Sequence, residues 1–583
     1  MYQYYQQVAV LAGKLRIVFN ASHGKKLHSG LKERILSPFS SNRSTSTGSE
    51  VHSMSLVERK RSHEQNPPSI LYIQEQIRST CEDIIHFCSQ QTETTFYQTE
   101  QALQVKISTL ACLFLQLFLM SVQEQFDYSS WLEKGKYYQG SLVSRTIKTI
   151  YGDVRYWRHY LVCKSGGGFY PLDAWIGLTG DGFSPLVISL VTRLATRMSF
   201  AASVLLFRCF YGWAPSSEAL QHLIIGMGKD SGAYMEHAQA PSDDGDILII
   251  EVDGKATPTA TEAELQKRRG KRHAKPHACG CTRHRGQAKR VCRGKKKRRQ
   301  PGDKSKNGRS ITLVVMYTLK RGDDGRLHGP INKRVWGSYA PRKVMVAWAR
   351  RQATKRGFPP DTDKRIHIVV DGETCLYDGL SALFPQATFA LDIRHVEERL
   401  WKVGRALHGP SPDALTHWVE DQRELLYSGR GAQLVTGLKA LKLTLSARAQ
   451  RDAAKREALR ELIGYLQKRL SMMAYQDLIE ADLVIASGIV EGAARYVVGE
   501  RLDCSGMRWI PERAEALLHL RCIELNGEWE RFFAWSYQRW LERMRAGQRV
   551  MLRTNLADAL PTEASMEETE TQPHQKTNMS VAA

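Results

Sequence analysis

Apolar residues between Ile70 and Gln123 recur at helical spacing, first as Ile73, Ile77, Cys81, Ile84 and Ile85, then as Leu103, Ile107, Leu110, Leu113 and Leu117. That spacing predicts two or more core-facing helices. The period then changes. Val143–Ile150 and Val154–Cys163 alternate around Tyr151-Gly152-Asp153, and β-branched and aromatic residues flanking a Gly-Asp turn predict a hairpin. Helical spacing returns at Leu186, Leu190 and Leu194 and again at Ala201, Leu205, Phe207 and Cys209, before Pro215-Ser216 breaks the chain and caps a helix from Glu218. Helix, short turn, helix is the outline of a helix-turn-helix, whose second helix can enter a major groove; plain helical packing fits the same pattern.

Past the acidic linker Asp243–Asp246, the run Ile247–Val252 is short and nearly all apolar, as expected of a strand covered on both faces. It ends in Asp253-Gly254. Further strands are expected at Ile311–Leu319, Asn332–Tyr339, Ile366–Val370 and Ala387–Leu391, with helices at Val344–Ala353, Leu376–Leu383 and His395–Leu407. Strands first, then strands alternating with helices, describe a mixed α/β sheet under layered helices. From Pro410 to Glu480 the pattern is helical only. Gly488 opens a strongly patterned helix over Ile489–Arg501, and another follows through Leu520. Residues 1–66 and those beyond about Gln548 show no sustained period, and loose ends are expected there.

Composition narrows the function. With 583 residues, 42% of them hydrophobic, the chain has ample material for a core and excludes a wholly disordered or collagenous class. The longest apolar run, Leu110–Met120, falls short of the roughly 20 residues of a membrane span, so a buried helix and no membrane partner are expected. The opening residues lack a secretory signal, and eleven cysteines without any Cys-x-x-Cys fit a reducing cytoplasm. The net charge is +23, which draws polyanions, nucleic acid first. Most of it lies in one stretch, Lys267–Arg309, with nineteen Lys or Arg against Asp303 alone. Lys267, Arg268, Arg269, Lys271, Arg272, Arg293, Lys295, Lys296, Lys297, Arg298 and Arg299 are its candidate DNA contacts. A solvated loop or localisation signal is the alternative. His277, Cys279, Cys281, His284 and Cys292 sit inside it, but the Cys-x-Cys spacing and the surrounding cations oppose zinc.

Chemistry is expected where the strands end. Asp253 and Asp371 each follow a buried strand and precede a glycine, and neighbouring strand ends form the edge at which open sheets bind ligands. Glu491 stands in the first turn of the Gly488 helix. Three carboxylates on one point repel unless a cation neutralises them, and a hard ion such as Mg²⁺ takes oxygen ligands of this kind. The plainer readings are two turn aspartates and an ordinary pair of Glu491 with Arg495 four residues on.

Ile250–Gly254, Val370–Gly372, Leu391-Asp392-Ile393-Arg394-His395, and Ser487-Gly488-Ile489-Val490-Glu491-Gly492 running on to Gly506-Met507-Arg508-Trp509 together resemble the DDE transposases of bacterial insertion sequences. The ISKra group, related to Mutator-like transposases, is the nearest match. The resemblance spans about Ile147 to Trp540 and includes Tyr151–Val154 and Tyr170-Pro171-Leu172-Asp173. It implies an RNase H-like mixed-sheet core with an all-helical insertion and two Mg²⁺ or Mn²⁺ ions per site on Asp253, Asp371 and Glu491. It further implies DNA contacts at Arg501 and Arg508, and supporting roles for Asp392, His395 and Trp509. A helix-start residue is the plainer reading of His395. Element ends and target DNA would be the substrates, a homodimer or larger assembly would hold two ends, and the place of action would be the cytoplasm, on the nucleoid. A non-catalytic DNA-binding regulator and a nuclease without strand transfer are the rival functions.

The expected organisation is an N-terminal extension at 1–66, a helical region at 67–140, and a hairpin with the helix-turn-helix-like unit at 141–242. The core follows at 243–409 with its basic insertion at 266–310, then the helical insertion at 410–486, the final core part at 487–547 and a tail at 548–583.

Overall fold

The computed structural model describes residues 67–90, 94–132, 135–268, 308–359, 363–409, 411–504 and 507–553. The N-terminal extension, residues 554–583 of the expected tail, the basic residues 269–307 and the Cys/His group within them lie outside the described residues, as do the side chains of Lys267 and Arg268. The first residues of that tail are not loose: Val550 and Leu552 are buried, and the Leu552 amide donates to Asp181 Oδ2 at 2.8 Å.

Helices α1 (Ile70–Gln90) and α2 (Phe96–Gln125) come first, and Thr95 opens α2 with a reciprocal capping box to Gln98. Here the expectation of a buried helix fails. Of the 30 residues of α2 only Leu119 and Met120 are buried, while Phe96, Tyr97, Val105, Ile107, Phe114 and Phe118 are exposed. Apolar residues continue upstream of Leu110 along the same helix, so its length and composition would suffice to cross a membrane.

Strands β1 (Tyr137–Thr149) and β2 (Gly152–Cys163) form the expected antiparallel hairpin, and β3 (Gly168–Phe169) adds to β2. Ile147, Val154, Tyr156 and Trp157 pack with Leu119 and Met120 of α2 in a small core of their own. Helices α3 (Pro171–Ile176), α4 (Pro185–Arg197), α5 (Phe200–Tyr211) and α6 (Ser217–Gly228) follow. Ser184, Ser199 and Ser216 cap the last three through their hydroxyls, as the Pro-Ser break predicts for α6. The expectation of a reading helix fails, because Leu220 and the whole run Leu223–Gly228 are buried and only the first turn of α6 is exposed. Gln221 and His222 are half-buried, and a helix buried on every side over its second half belongs to a core.

The central sheet takes β4 (Ile247–Pro258), β5 (Gly308–Arg321), β6 (Leu327–Ser338), β7 (Arg365–Val370) and β8 (Thr388–Leu391), in the order β6-β5-β4-β7-β8. The first three make an antiparallel meander; β7 and β8 run parallel to β4. Ile311–Leu319 is buried without a break, so both faces of the sheet are covered. Helix α7 (Arg342–Lys355) lies between β6 and β7, α8 (Thr374–Leu383) between β7 and β8, and α9 (Ile393–His408) leaves β8 directly. Helices α10 (Pro412–Tyr427), α11 (Gly431–Thr444) and α12 (Gln450–Gln467) form the helical insertion.

The patterned helix after Gly488 begins as α13 (Gly488–Ala493) and passes through a π turn at Ala494–Gly499. Helices α14 (Pro511–Leu525) and α15 (Trp529–Arg545) end the described chain, and α14 is buried almost throughout. The result is a mixed α/β fold around a five-stranded mixed sheet, compatible with an RNase H-like core.

Candidate active site

Strand register builds the site. Val252 of β4 pairs with Val370 of β7, and Val370 pairs with Leu391 of β8. The next residue on each of these three parallel strands is an aspartate: Asp253, Asp371 and Asp392. Three carboxylates therefore stand abreast where β7 and β8 end, as the strand-end argument expects of Asp371, whereas Asp253 lies inside β4, which runs on to Pro258 paired with β5.

The fourth acid arrives by helix. Glu251, two residues before Asp253 and on the same face of β4, is fully buried. Its Oε1 accepts from the Tyr317 hydroxyl at 2.7 Å and its Oε2 from the Val490 amide at 2.8 Å. That amide is one of the unpaired donors in the first turn of α13, so Glu251 moors to β4 the helix that carries Glu491. Burial pushes the Glu251 carboxyl up, and Asp392 and Glu491 push the same way, against Tyr317 and the Val490 amide.

Asp392 is fully buried, and its own chain occupies it. Oδ1 accepts from the amides of Arg394 at 3.0 Å and Ser487 at 3.3 Å. Oδ2 accepts from His395 Nδ1 at 2.6 Å and from the Ser487 hydroxyl. Burial alone would raise this carboxyl; the bonds from His395, Ser487 and Arg394 outweigh it and hold Asp392 below the usual range. In return the bond to Asp392 raises His395 to about 9. Ser487 Oγ also stands 3.4 Å from Glu491 Oε1, and ligand atoms of Asp392, His395 and Glu491 all lie within 4.8 Å of one another. By distance this group could hold a metal ion.

Asp253 and Asp371 are far less engaged. Asp253 Oδ1 accepts from the Gly254 amide at 2.6 Å, and Asp371 Oδ1 from the Glu373 amide at 2.9 Å. Burial pushes the Asp253 carboxyl up; Asp371 and Asp392 add to the push, and the Gly254 amide and His395 oppose it. The helical insertion braces this edge from outside. The Tyr465 hydroxyl donates to the Asp371 carbonyl at 2.9 Å, Arg469 Nε to the Gly372 carbonyl, and the Tyr475 hydroxyl to the Leu391 carbonyl at 2.8 Å. Gly372 has φ +80°, and a Cβ there would meet Arg469 at 2.5 Å and Leu391 at 2.7 Å, so glycine is required after Asp371.

The plainer reading of Glu491, a pair with Arg495, fails: among the described residues Glu491 has no salt bridge, and Arg495 lies exposed within the π turn Ala494–Gly499. The π turn breaks the regular i,i+4 spacing on which such a pair relies. Arg501 is a second correction. It is 2% exposed, its Nε donates to the Ala195 carbonyl at 2.9 Å, and its guanidinium lies 5.1 Å from the rings of both Phe200 and Trp509. Burial lowers it to about 9. A side chain so enclosed is a core residue and is not placed to meet DNA. Arg508 is partly exposed. Trp509 donates from Nε1 to the Leu502 carbonyl at 3.0 Å, and its backbone pairs with Thr259 just beyond β4. It thus ties the end of that strand to the chain that follows Glu491.

Glu251 escaped the sequence reading, although a lone acid in the apolar run Ile247–Val252 was its visible signal. No known protein family and no curated protein matches the chain. Among solved structures, the Drosophila P element transposase strand transfer complex is similar over 64% of this chain and 83% of that one, at 11% identity and a TM-score of 0.20, a likeness that settles neither fold nor function.

Proposed function

We propose that this chain is a DNA phosphoryl transferase: a transposase that cuts at the ends of a mobile element and joins the freed 3′ ends to target DNA. The observation that carries the reading is the row of Asp253, Asp371 and Asp392 on three adjacent parallel strands, with Glu491 brought to it by a helix moored on Glu251.

The donor set fits a hard divalent cation, because it is oxygen-rich and its partly exposed acids keep acceptor capacity. Of the expected ligands, Glu491 alone belongs to the group within 4.8 Å, with Asp392 and His395. Asp253 and Asp371 are proposed as its fellow ligands, supported by their alignment beside Asp392 and by the bonds from Arg394, Ser487 and His395 that already engage Asp392. Two Mg²⁺ or Mn²⁺ ions, when bound, supply activation of a water or 3′-hydroxyl and stabilise the leaving oxygen of an in-line displacement. The chain's own residues do the rest. Asp392 fixes His395 through Nδ1, Ser487 links Asp392 to Glu491, and Tyr465 and Arg469 hold the backbone around Asp371 so that its carboxylate stays at the edge. The net charge of +23 draws the phosphate backbone without reading sequence. Two element ends call for two or more subunits, acting on nucleoid DNA in the cytoplasm.

Purified full-length protein incubated with element-end duplexes and Mn²⁺ should nick them at the element's termini and yield joined products, and EDTA should stop both. Binding that persists in EDTA with no strand breakage under Mn²⁺ would mark a regulator instead, and breakage without joining would mark a nuclease.

A further inference from the structure

The Tyr170–Asp173 motif does not reach the carboxylate edge. It walls a cavity of about 380 Å³ between the hairpin, α3 and the segment after α15, and Arg145, Arg158, Tyr160 and Arg549 share the lining. Volume of this order accommodates a nucleotide-sized group. Its charge is lopsided: three guanidiniums face one carboxylate. Asp173 takes Arg145 Nη1 at 2.7 Å, Arg158 Nη1 at 2.9 Å and the Tyr156 hydroxyl at 2.5 Å, so its capacity is spent within the protein. Arg158, with its side chain 9% exposed, keeps a buried Nε that has no hydrogen-bond partner. A buried cationic donor left unmatched is costly unless an acceptor arrives. The same guanidinium lies 3.7 Å from the centre of the Tyr170 ring, which stands 4.9 Å from that of Tyr160, and Arg549 is exposed at the rim.

We propose that this cavity binds a phosphodiester group of nucleic acid, with an adjoining base laid against Tyr160 and Tyr170. A planar guanidinium fork matches phosphate oxygens, and aromatic rings take any base by stacking. A phosphate could come from nucleic acid or from a free nucleotide; the net charge of +23 favours the polymer. The inference rests on the DNA-binding part of the reading above and needs none of its catalysis.

The test uses the full chain in EDTA and a single-stranded oligonucleotide carrying 5-iododeoxyuridine, photocrosslinked and mapped by peptide mass spectrometry. Crosslinks are expected on Tyr160 or Tyr170. Arg549→Glu, at an exposed position, should lower their yield about tenfold, and Arg158→Gln should do the same with an unchanged circular dichroism spectrum. Thymidine monophosphate should fail to compete at equal phosphate concentration; effective competition would assign the cavity to free nucleotides and overturn the nucleic-acid assignment. Crosslinks confined to other peptides, or a yield untouched by Arg549→Glu, would overturn the site. EDTA removes the chemistry from this assay, so its failure leaves the cleavage reading standing, and a chain that crosslinks here yet never cuts DNA leaves this inference standing.

Discussion

Asp173 in the hairpin region and Asp253 at the sheet edge are both carboxylates drawn largely out of water, and burial pushes both upward. Their neighbours differ in sign. Around Asp173 two guanidiniums and a tyrosine hydroxyl pull the carboxyl back down; around Asp253 two further aspartates push it higher, with one backbone amide and His395 in opposition. A buried charge that its own chain neutralises holds the fold together, whereas one that its chain repels awaits a cation from outside.

The contrast breaks most visibly in activity. Asp253→Asn or Glu491→Gln should lower metal-dependent DNA cleavage by at least about a hundred- to a thousandfold, measured on end-labelled duplex, with gel retardation of DNA unchanged. Asp173→Asn addresses the other carboxylate. It strands two buried guanidiniums, so urea unfolding should show a loss of about 3–5 kcal/mol. Asp253→Asn should have the reverse effect on stability: without metal it relieves repulsion and should stabilise the fold by about 0.5–2 kcal/mol, while Mg²⁺ no longer raises its melting temperature.

The smallest effect concerns His395. Its folded value of about 9 exceeds the ordinary 6.5, so the stability it contributes is fully present below about pH 6.5 and is lost as the pH rises through about 9. Melting temperatures followed across that window should fall in the wild type and fall less in His395→Gln.

Much of the site was legible because strands and their ends leave local signals. The apolar runs before Asp253 and Asp371 place β4 and β7, but only Asp371 follows a strand's end; β4 runs on past Asp253 to Pro258, because Gly254–Pro258 keeps pairing with β5. The row itself was not legible, since the alignment of Asp392 with the other two depends on register among strands far apart in sequence. Glu251 illustrates the same limit: its partner is the Val490 amide, 239 residues away. Arg501 and α6 mislead for a different reason. A cation beside a DNA-linked motif and a capped helix after a turn look alike in sequence whether they face solvent or core, and only packing against Phe200, Trp509 and the sheet helices decides it. In α2, helical spacing was read correctly while burial was not, because periodicity reports which residues share a face and not whether anything covers that face.

Calorimetric titration of Mn²⁺ into the wild-type protein and into its Asp253→Asn and Glu491→Gln variants tests the central claim most directly. The account predicts two bound ions per wild-type chain and loss of binding in both variants; ion binding unchanged in either one would contradict it.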